Sequence, residues 1–150
     1  MKKLLAVIVG VSVVLSAVGC SAKTESQKET KADEKIVITY WNGFTGTDGE
    51  VMQRIVDNYN ESNQLNVEIQ MERVSWDTLY QQLATSLPVG DGPDITAFAT
   101  ERIGEYAESG AIKPIDELYS SKKVDAAKIP AVFNENLQYN GNYYGVPLNI

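Results

Sequence analysis

The sequence predicts an α/β fold in which a parallel sheet is built in the order β-α-β-α-β-α. Short runs rich in β-branched and aromatic residues, at 36–41, 65–71 and 95–99, each precede a segment whose apolar residues recur at helical spacing. Stretches containing glycine, proline, asparagine or aspartate separate these segments. Because strands that alternate with helices fold into right-handed βαβ units, the three strands are expected to be parallel.

The first strand and helix are separated by a glycine-bearing loop. Residues 36–41 read IVITYW, a nearly continuous apolar run typical of a strand covered on both faces. Thr47 and Glu50 fit a capping box, and the apolar residues between Val51 and Tyr59 recur at helical spacing. The first helix is therefore predicted to begin at Thr47.

The second strand has a different pattern from the first. Residues 65–72 alternate strictly between apolar and polar side chains, which predicts a half-exposed strand near a sheet edge. Ser75 is a plausible N-cap, and the apolar residues of 76–87 form one face of a second amphipathic helix.

The third strand and helix follow a helix-breaking segment. Residues 88–94 (PVGDGPD) end the second helix, and 95–99 begin the third strand. Residues 101–109 carry apolar side chains on one helical face, and Gly110 is placed as the C′ residue.

The last part of the chain predicts a short helix and a hairpin. The helix is expected over 115–119, after a proline, and the hairpin over 137–146, around a type I′ turn at Asn140-Gly141. Tyrosine pairs such as Tyr143-Tyr144 bind ferric iron in some transport proteins. No histidine or third ligand lies nearby, so packing is the favoured interpretation of this pair.

Composition excludes most enzyme chemistries. The 150 residues include 13 Lys and Arg, 20 Asp and Glu, no His and one Cys, with a net charge of −7. A Ser-His-Asp triad, a Cys-His dyad, a His-rich metal site and an intrachain disulfide are therefore impossible. The basic residues form no run that could follow a phosphate backbone, so no nucleic acid partner is expected. We expect a protein that is not an enzyme and that has no cofactor and no metal.

The N-terminus predicts a targeting signal followed by a lipid anchor. Two lysines precede the apolar stretch 4–18, and small residues lead into Cys20, which resembles the lipobox of bacterial lipoproteins. Ala17 departs from the leucine more common in that motif, and a buried free cysteine is the alternative. Residues 1–19 are expected to be a signal peptide, and 20–35, which have no large apolar side chain, a lipidated cysteine and disordered tether.

Candidate binding residues lie where the strands end. In an open α/β sheet, ligands bind outside the carboxyl ends of the strands. A mixture of aromatic and hydrogen-bonding side chains there suits a sugar, whose C–H faces stack on rings while its hydroxyls need donors and acceptors. The predicted ligand-binding residues are Trp41, Asn42, Phe44, Thr45, Asp48, Ser75, Trp76, Thr100 and Glu101.

Each of these residues also has a structural interpretation. Trp41 can belong to the core at the end of its strand, and Trp76 to the apolar face of its helix. Asp48 can cap the first helix, and Glu101, like its neighbour Arg102, can be a solvated residue of a first helical turn.

The same loops also allow two other interpretations, dinucleotide binding and glycoside hydrolysis. Gly43, Gly46 and Gly49 invite comparison with a dinucleotide fingerprint, but their spacing does not match GxGxxG. Asp48 and Glu101 are a conceivable carboxylate pair for a glycosidase, yet nothing marks these two among the many acids of the chain.

Six segments together resemble the extracellular solute-binding proteins that include maltose-binding protein, the capture components of ATP-binding-cassette (ABC) importers for sugars. The matching segments are ITYWNG (38–43), EVMQRIVDNYNESN (50–63), WDTLYQQLA (76–84), GPDI (92–95), GAIKPIDEL (110–118) and NGNYYGVP (140–147).

The resemblance implies a periplasmic-binding-protein-like (type II) fold, with residues 36–150 forming part of the N-terminal lobe and the chain stopping before the second lobe. It also implies a monomer, lipid-anchored on the extracytoplasmic face of the cell membrane, that closes on a mono- or oligosaccharide and delivers it to ABC permease membrane subunits. The alternatives are a binding protein for glycerol phosphate or a polyamine, an anchored glycosidase-like enzyme, and a lipoprotein that serves only as an interaction partner.

Overall fold

A three-stranded parallel sheet organises residues 35–148, the part of the chain that this computed structural model describes. Its strands, in the order β2-β1-β3, are β1 (Ile36–Asn42), β2 (Val67–Arg73) and β3 (Ile95–Thr96). β1 pairs with β2 over its whole length but with β3 only at Tyr40 and Trp41. The predicted parallel sheet is confirmed, and β2 lies at its edge within the described residues. The predicted signal peptide, Cys20 and the tether up to residue 34 lie outside them.

The helices follow the predicted order, with one addition. They are α1 (Thr47–Ser62), α2 (Trp76–Ser86), α3 (Ile103–Glu108), α4 (Asp116–Ser120) and α5 (Ala131–Asn136). Short 3-10 turns cover Leu87–Val89, Thr100–Arg102 and Ala126–Lys128, and an antiparallel hairpin joins β4 (Gln138–Tyr139) to β5 (Asn142–Tyr143). α5 and the turn before it were not predicted. Among residues 35–148, no helix has both the length and the apolar character needed to cross a bilayer.

The core lies between α2, α3 and the second half of β1. Leu79 and Leu83, one helical turn apart on α2, have no exposed surface, and Ile103 and Tyr106 are buried on α3. β1 was expected to be covered on both faces, but Ile36 and Val37 are 58% and 45% exposed. Only the second half of β1 fits the prediction, because the elements that bury it gather near the strand's carboxyl end.

Local turn chemistry agrees with the sequence at three of four positions. Ser75 caps α2, since its Oγ accepts from the Thr78 N–H at 3.2 Å. Gly110 has φ +73°, as a C′ residue requires, and Asn140 and Gly141 both have positive φ, as a type I′ turn requires. The capping box at Thr47 is wrong. Gly46 is the N-cap residue, and Asp48 Oδ1 accepts from the N–H groups of Gly46 (3.1 Å) and Gly49 (2.8 Å). A carboxylate in the first turn satisfies these donors and suits the positive end of the helix dipole.

Two asparagines, one within α1 and one at its C-cap, occupy the free edge of β2. Asn60 Oδ1 accepts from the Ile69 N–H at 2.8 Å, and its Nδ2 donates to the Ile69 carbonyl at 2.9 Å. Asn63 contacts the Val67 N–H and carbonyl in the same way, at 3.3 and 3.0 Å. The side-chain amides therefore replace a neighbouring strand, which protects an edge that could otherwise pair with another chain.

Replacing Asn60 with Ala should lower the free energy of unfolding of the full-length protein by about 1–3 kcal/mol, because two backbone groups of the edge strand lose their partners. The change should also increase aggregation at elevated temperature. Urea unfolding followed by circular dichroism, together with light scattering, measures both effects. Asn58→Ala, an exposed position on the same helix, is the control. Equal effects of the two substitutions would contradict the edge-protection role of Asn60.

A second side-chain contact joins the start of β3 to β1. Asp94 Oδ2 accepts from both the backbone N–H and the hydroxyl of Thr39, each at 2.8 Å, and the Thr39 hydroxyl accepts from the Asp94 N–H at 2.9 Å. These donors hold the pKa of the Asp94 carboxyl below its usual range, the backbone N–H having the larger effect. The contact links positions 55 residues apart and aligns β3 with β1 where the strands themselves do not pair.

The stabilisation from Asp94 should depend on pH in the acidic range. Because its pKa is lowered in the folded state, the unfolded chain binds the proton more readily, so this contribution is complete above about pH 4 and is lost as the pH falls further. The difference in unfolding free energy between the wild type and Asp94→Asn should therefore stay constant from about pH 7 to pH 5 and shrink as the pH falls below about 4. Asp91→Asn removes an exposed charge from the same loop and is the control. A decrease of equal size in that variant would show that general charge effects are responsible.

Candidate ligand-binding site

The three strand-end loops meet through aromatic contacts. Phe44, after β1, packs edge-to-face on Trp76, which follows β2, with ring centroids 5.4 Å apart. Trp76 in turn stacks on Tyr80 at 6.0 Å with an interplanar angle of 28°. The guanidinium of Arg102, after β3, lies 4.0 Å from the centre of the Tyr80 ring. We call Phe44, Trp76, Tyr80 and Arg102 the strand-end cluster.

Trp76 has both a packed side and an exposed side. A Cβ placed on Gly43 would lie 2.1 Å from Trp76 Cδ2, so the indole lies directly against the backbone of the loop after β1. The residue is nevertheless 37% exposed. Trp76 can therefore pack against the protein and contact a ligand at the same time, because one part of its indole is packed and another part is exposed.

Asn42 shapes this loop from the inside. Its side chain is fully buried, with Oδ1 accepting from the Phe44 N–H at 3.1 Å, while its backbone carbonyl accepts from the Val74 N–H at 3.1 Å. The side-chain Nδ2 has no hydrogen-bond partner within residues 35–148. Asn42 thus joins the ends of β1 and β2 and retains one free donor.

The other predicted site residues differ in whether their side chains already make hydrogen bonds within the protein. Ser75 caps α2, and Asp48 accepts hydrogen bonds from two N–H groups at the start of α1, where Gly46 is the N-cap residue. Trp41 is half-buried on the face of β1 opposite Asn42, which follows from the alternation of side chains along a strand. The exposed residues with free side chains at this edge are Thr45, Thr100 and Glu101.

Sequence reasoning missed Tyr80 and the role of Gly43. Tyr80 was assigned to the apolar face of α2, yet its hydroxyl also accepts from the Ala99 N–H at 3.2 Å. Its position one helical turn after Trp76 was the available signal, since residues four apart on a helix are neighbours. Arg102 was noticed in the loop but was not selected as a site residue.

Close packing accounts for two of the three glycines in this region. A Cβ on Gly49 would lie 2.1 Å from the Phe44 carbonyl oxygen, as close as the Cβ of Gly43 would be to Trp76. Gly46 has no such restriction, since its Cβ would meet Asp48 Oδ1 at 3.4 Å. These contacts explain the glycine spacing without a phosphate ligand.

The other chemistries considered for the sequence have little support in the described residues. Tyr143 stacks on Tyr119 at 3.7 Å and donates to Asn134 Oδ1 at 3.2 Å, so it packs within the protein. Burial, with a smaller effect of Tyr143, raises the pKa of Tyr119. Residues 35–148 contain no cluster of three or more Cys, Asp or Glu side chains that could hold a metal ion. Asp48 and Glu101 are exposed on separate elements and share no hydrogen bond there.

One groove of the described residues is separate from the strand-end cluster. It has a volume of about 440 Å³ and lies between the end of α2 and α3, where Leu83, Leu87, Glu105 and Tyr106 contribute to its walls. None of the predicted ligand-binding residues lines it.

Comparison with known proteins identifies relatives of similar architecture. The chain is 31% identical over 113 residues to a maltotriose-binding protein of Pyrococcus abyssi, a match that covers 75% of this chain and 23% of that protein. The described fold matches the structure of CpMnBP1 with mannotriose bound, with a TM-score of 0.65 and 26% identity over 75% of this chain and 28% of the other. A maltotriose-bound protein of Thermus thermophilus has the same fold, with a TM-score of 0.63 and 20% identity over 73% and 28% of the two chains.

The chain therefore spans about a quarter of the length of these relatives. Their likeness confirms the expected mixed α/β fold of a type II periplasmic-binding-protein lobe. A sequence profile of bacterial extracellular solute-binding proteins matches residues 54–150. With this match covering more than half of the sequence, the chain belongs to the bacterial extracellular solute-binding protein family.

Proposed function

We propose that the chain forms part of the capture component of an ABC importer and binds a mono- or oligosaccharide at its strand-end loops. The strand-end cluster carries this proposal, because it presents a partly exposed indole at the sheet edge where α/β proteins bind ligands. Relatives named for maltotriose and mannotriose support a sugar as the ligand.

The chemistry of the edge favours a neutral polyol. A sugar ring can place its C–H face on Trp76 while its hydroxyls reach hydrogen-bonding groups such as Thr45, Thr100 and Glu101. The exposed carboxylates of Asp48, Asp77 and Glu101 outnumber the guanidinium of Arg102 on these loops, so a phosphate there would meet a net negative charge. Glycerol phosphate is therefore disfavoured, whereas a polyamine remains the second candidate because the same carboxylates would attract it.

In this proposal the folded segment 36–150 contributes one wall of a cleft between two lobes. The proposed contacts in that wall are Trp41, Asn42, Phe44, Thr45, Asp48, Ser75, Trp76, Thr100 and Glu101. Asn42, Asp48 and Ser75 shape the loops through the hydrogen bonds described above, and Trp76 supplies the stacking surface. Capture and release need no catalytic group, which agrees with the absence of histidine from the sequence.

The same proposal places the protein outside the cytoplasm as a monomer. Family membership supports an extracytoplasmic location. A signal peptide at 1–19, a lipid on Cys20 and a polar tether at 20–35 would hold the folded body near the membrane. That position brings the bound sugar within reach of ABC permease membrane subunits.

Binding measurements on the full-length protein test the sugar assignment. Isothermal titration with maltotriose, mannotriose, xylotriose, glycerol 3-phosphate and spermidine should show saturable binding of at least one neutral oligosaccharide. Binding should quench tryptophan fluorescence if the ligand covers Trp76. Binding of spermidine or of glycerol 3-phosphate alone would favour that alternative, and no binding of these trisaccharides or of their monosaccharide units would refute the sugar assignment.

The contact between Gly43 and Trp76 gives a sharper test. Gly43→Ala should weaken sugar binding at least about 10-fold, because the new methyl group displaces the indole, and displacements on the order of 1 Å are costly in a positioned site. Gly46→Ala is the matched control, since its methyl group meets only Asp48 at ordinary contact distance. Titration of both variants at matched thermal stability gives the comparison. Equal affinities would show that Trp76 is not part of the binding surface.

A further inference from the structure

Tyr80 contacts three parts of the strand-end region. Its ring stacks on Trp76, its hydroxyl accepts from the Ala99 N–H, and the guanidinium of Arg102 lies over its face at 4.0 Å. Ala99 and Arg102 both belong to the segment that follows β3. One side chain of α2 therefore determines where that segment lies relative to Trp76.

The Arg102 guanidinium lies over the Tyr80 ring, 4.0 Å from its centre, and near enough to the Tyr106 hydroxyl to interact with it. The carboxylate paired with Arg102 belongs to Glu105, at 3.9 Å, with Arg102 and Glu105 side chains 38% and 70% exposed. An exposed pair at that distance, three positions apart, is weak. Stacking on an aromatic face is more directional and orients the plane of the guanidinium.

Stacking leaves the hydrogen-bonding edge of arginine free. A guanidinium has five N–H donors in its plane, and a ring beneath its face occupies none of them. A ligand that stacks on Trp76 would meet these donors at the same edge of the sheet. Because the arginine is oriented beforehand, less side-chain entropy is lost when the ligand binds.

We propose that Tyr80 is a positioning residue, whose ring orients Arg102 so that its free N–H groups donate to hydroxyl groups of a sugar stacked on Trp76. The assignment of Arg102 as a ligand contact rests on the proposed sugar-binding function. The positioning itself does not, and it can be measured without a ligand.

The binding test uses four variants of the full-length protein. Tyr80→Phe keeps the ring and should bind sugar within about 3-fold of the wild type, whereas Tyr80→Leu and Arg102→Ala should each weaken binding by about 3- to 30-fold. The double variant Tyr80→Leu/Arg102→Ala should lose clearly less affinity than the product of the two single losses, because the part of the Tyr80 effect that acts through Arg102 is counted in both. If the two losses multiply in the double variant, the positioning role is refuted.

A spectroscopic test needs no ligand. The Arg102 side-chain protons should have upfield-shifted NMR resonances in the wild type and in Tyr80→Phe, because they lie over an aromatic ring. The shift should disappear in Tyr80→Leu. Tyr59→Leu, which removes a half-buried ring from α1, is the control and should leave both the Arg102 resonances and sugar affinity unchanged.

The two tests separate the two proposals. If the wild type binds no sugar, the proposed function fails, while the resonance shift still decides whether Tyr80 holds Arg102. Unshifted Arg102 resonances in the wild type would refute the positioning role whatever the binding result.

Discussion

The parallel pairing of β1 with strands on both sides is the constraint on which the rest of the structure depends. Parallel strands cannot be joined by tight turns, so α1 and α2 must carry the chain back, and all three strands finish at one edge. That geometry brings together loops separated by more than fifty residues in sequence. The contact between Thr39 and Asp94 extends the alignment on the short β3 side, and Asn60 and Asn63 complete the opposite edge.

At the sheet edge, two glycines are as important to the packing as the side chains around them. Gly43 and Gly49 each lie where a Cβ would come within 2.1 Å of another group, so the loop after β1 can approach Trp76 and the start of α1 only with glycine at these positions. The buried Asn42 then holds the loop in that shape through the Phe44 N–H. The orientation of the Trp76 indole is consequently determined by the backbone at Gly43, against which it packs.

Periodicity and turn chemistry predicted most of the fold, since they report local burial and local backbone conformation. The order of the three strands, α1 to α4, the Ser75 cap and the type I′ turn at Asn140 follow from patterns within a few residues, although β3 covers only Ile95–Thr96 of the predicted 95–99. The missed features depend on competition or on distant contacts. At the start of α1, Asp48 accepts from the N–H groups of Gly46 and Gly49, and the capping box expected at Thr47 does not form; α5 has no buried residue, so no apolar stripe marks it in the sequence. Tyr80 resembles any apolar helix residue in sequence, because its contacts with Ala99 and Arg102 exist only in the folded chain.

The strand-end cluster also shows how one set of residues can support folding and recognition together. Phe44 is almost completely buried, Trp76 is packed on one side and open on another, and Arg102 lies over the Tyr80 ring with its side chain 38% exposed. The cluster therefore runs from a buried side chain to exposed ones, and each of its side chains packs against a neighbour in the cluster. A sugar binds weakly for its size because its hydroxyls must exchange water for protein partners, so a surface that is ordered before binding gains affinity by avoiding further entropy loss. The contacts that stabilise the lobe are therefore the same contacts that order its surface side chains before a ligand binds.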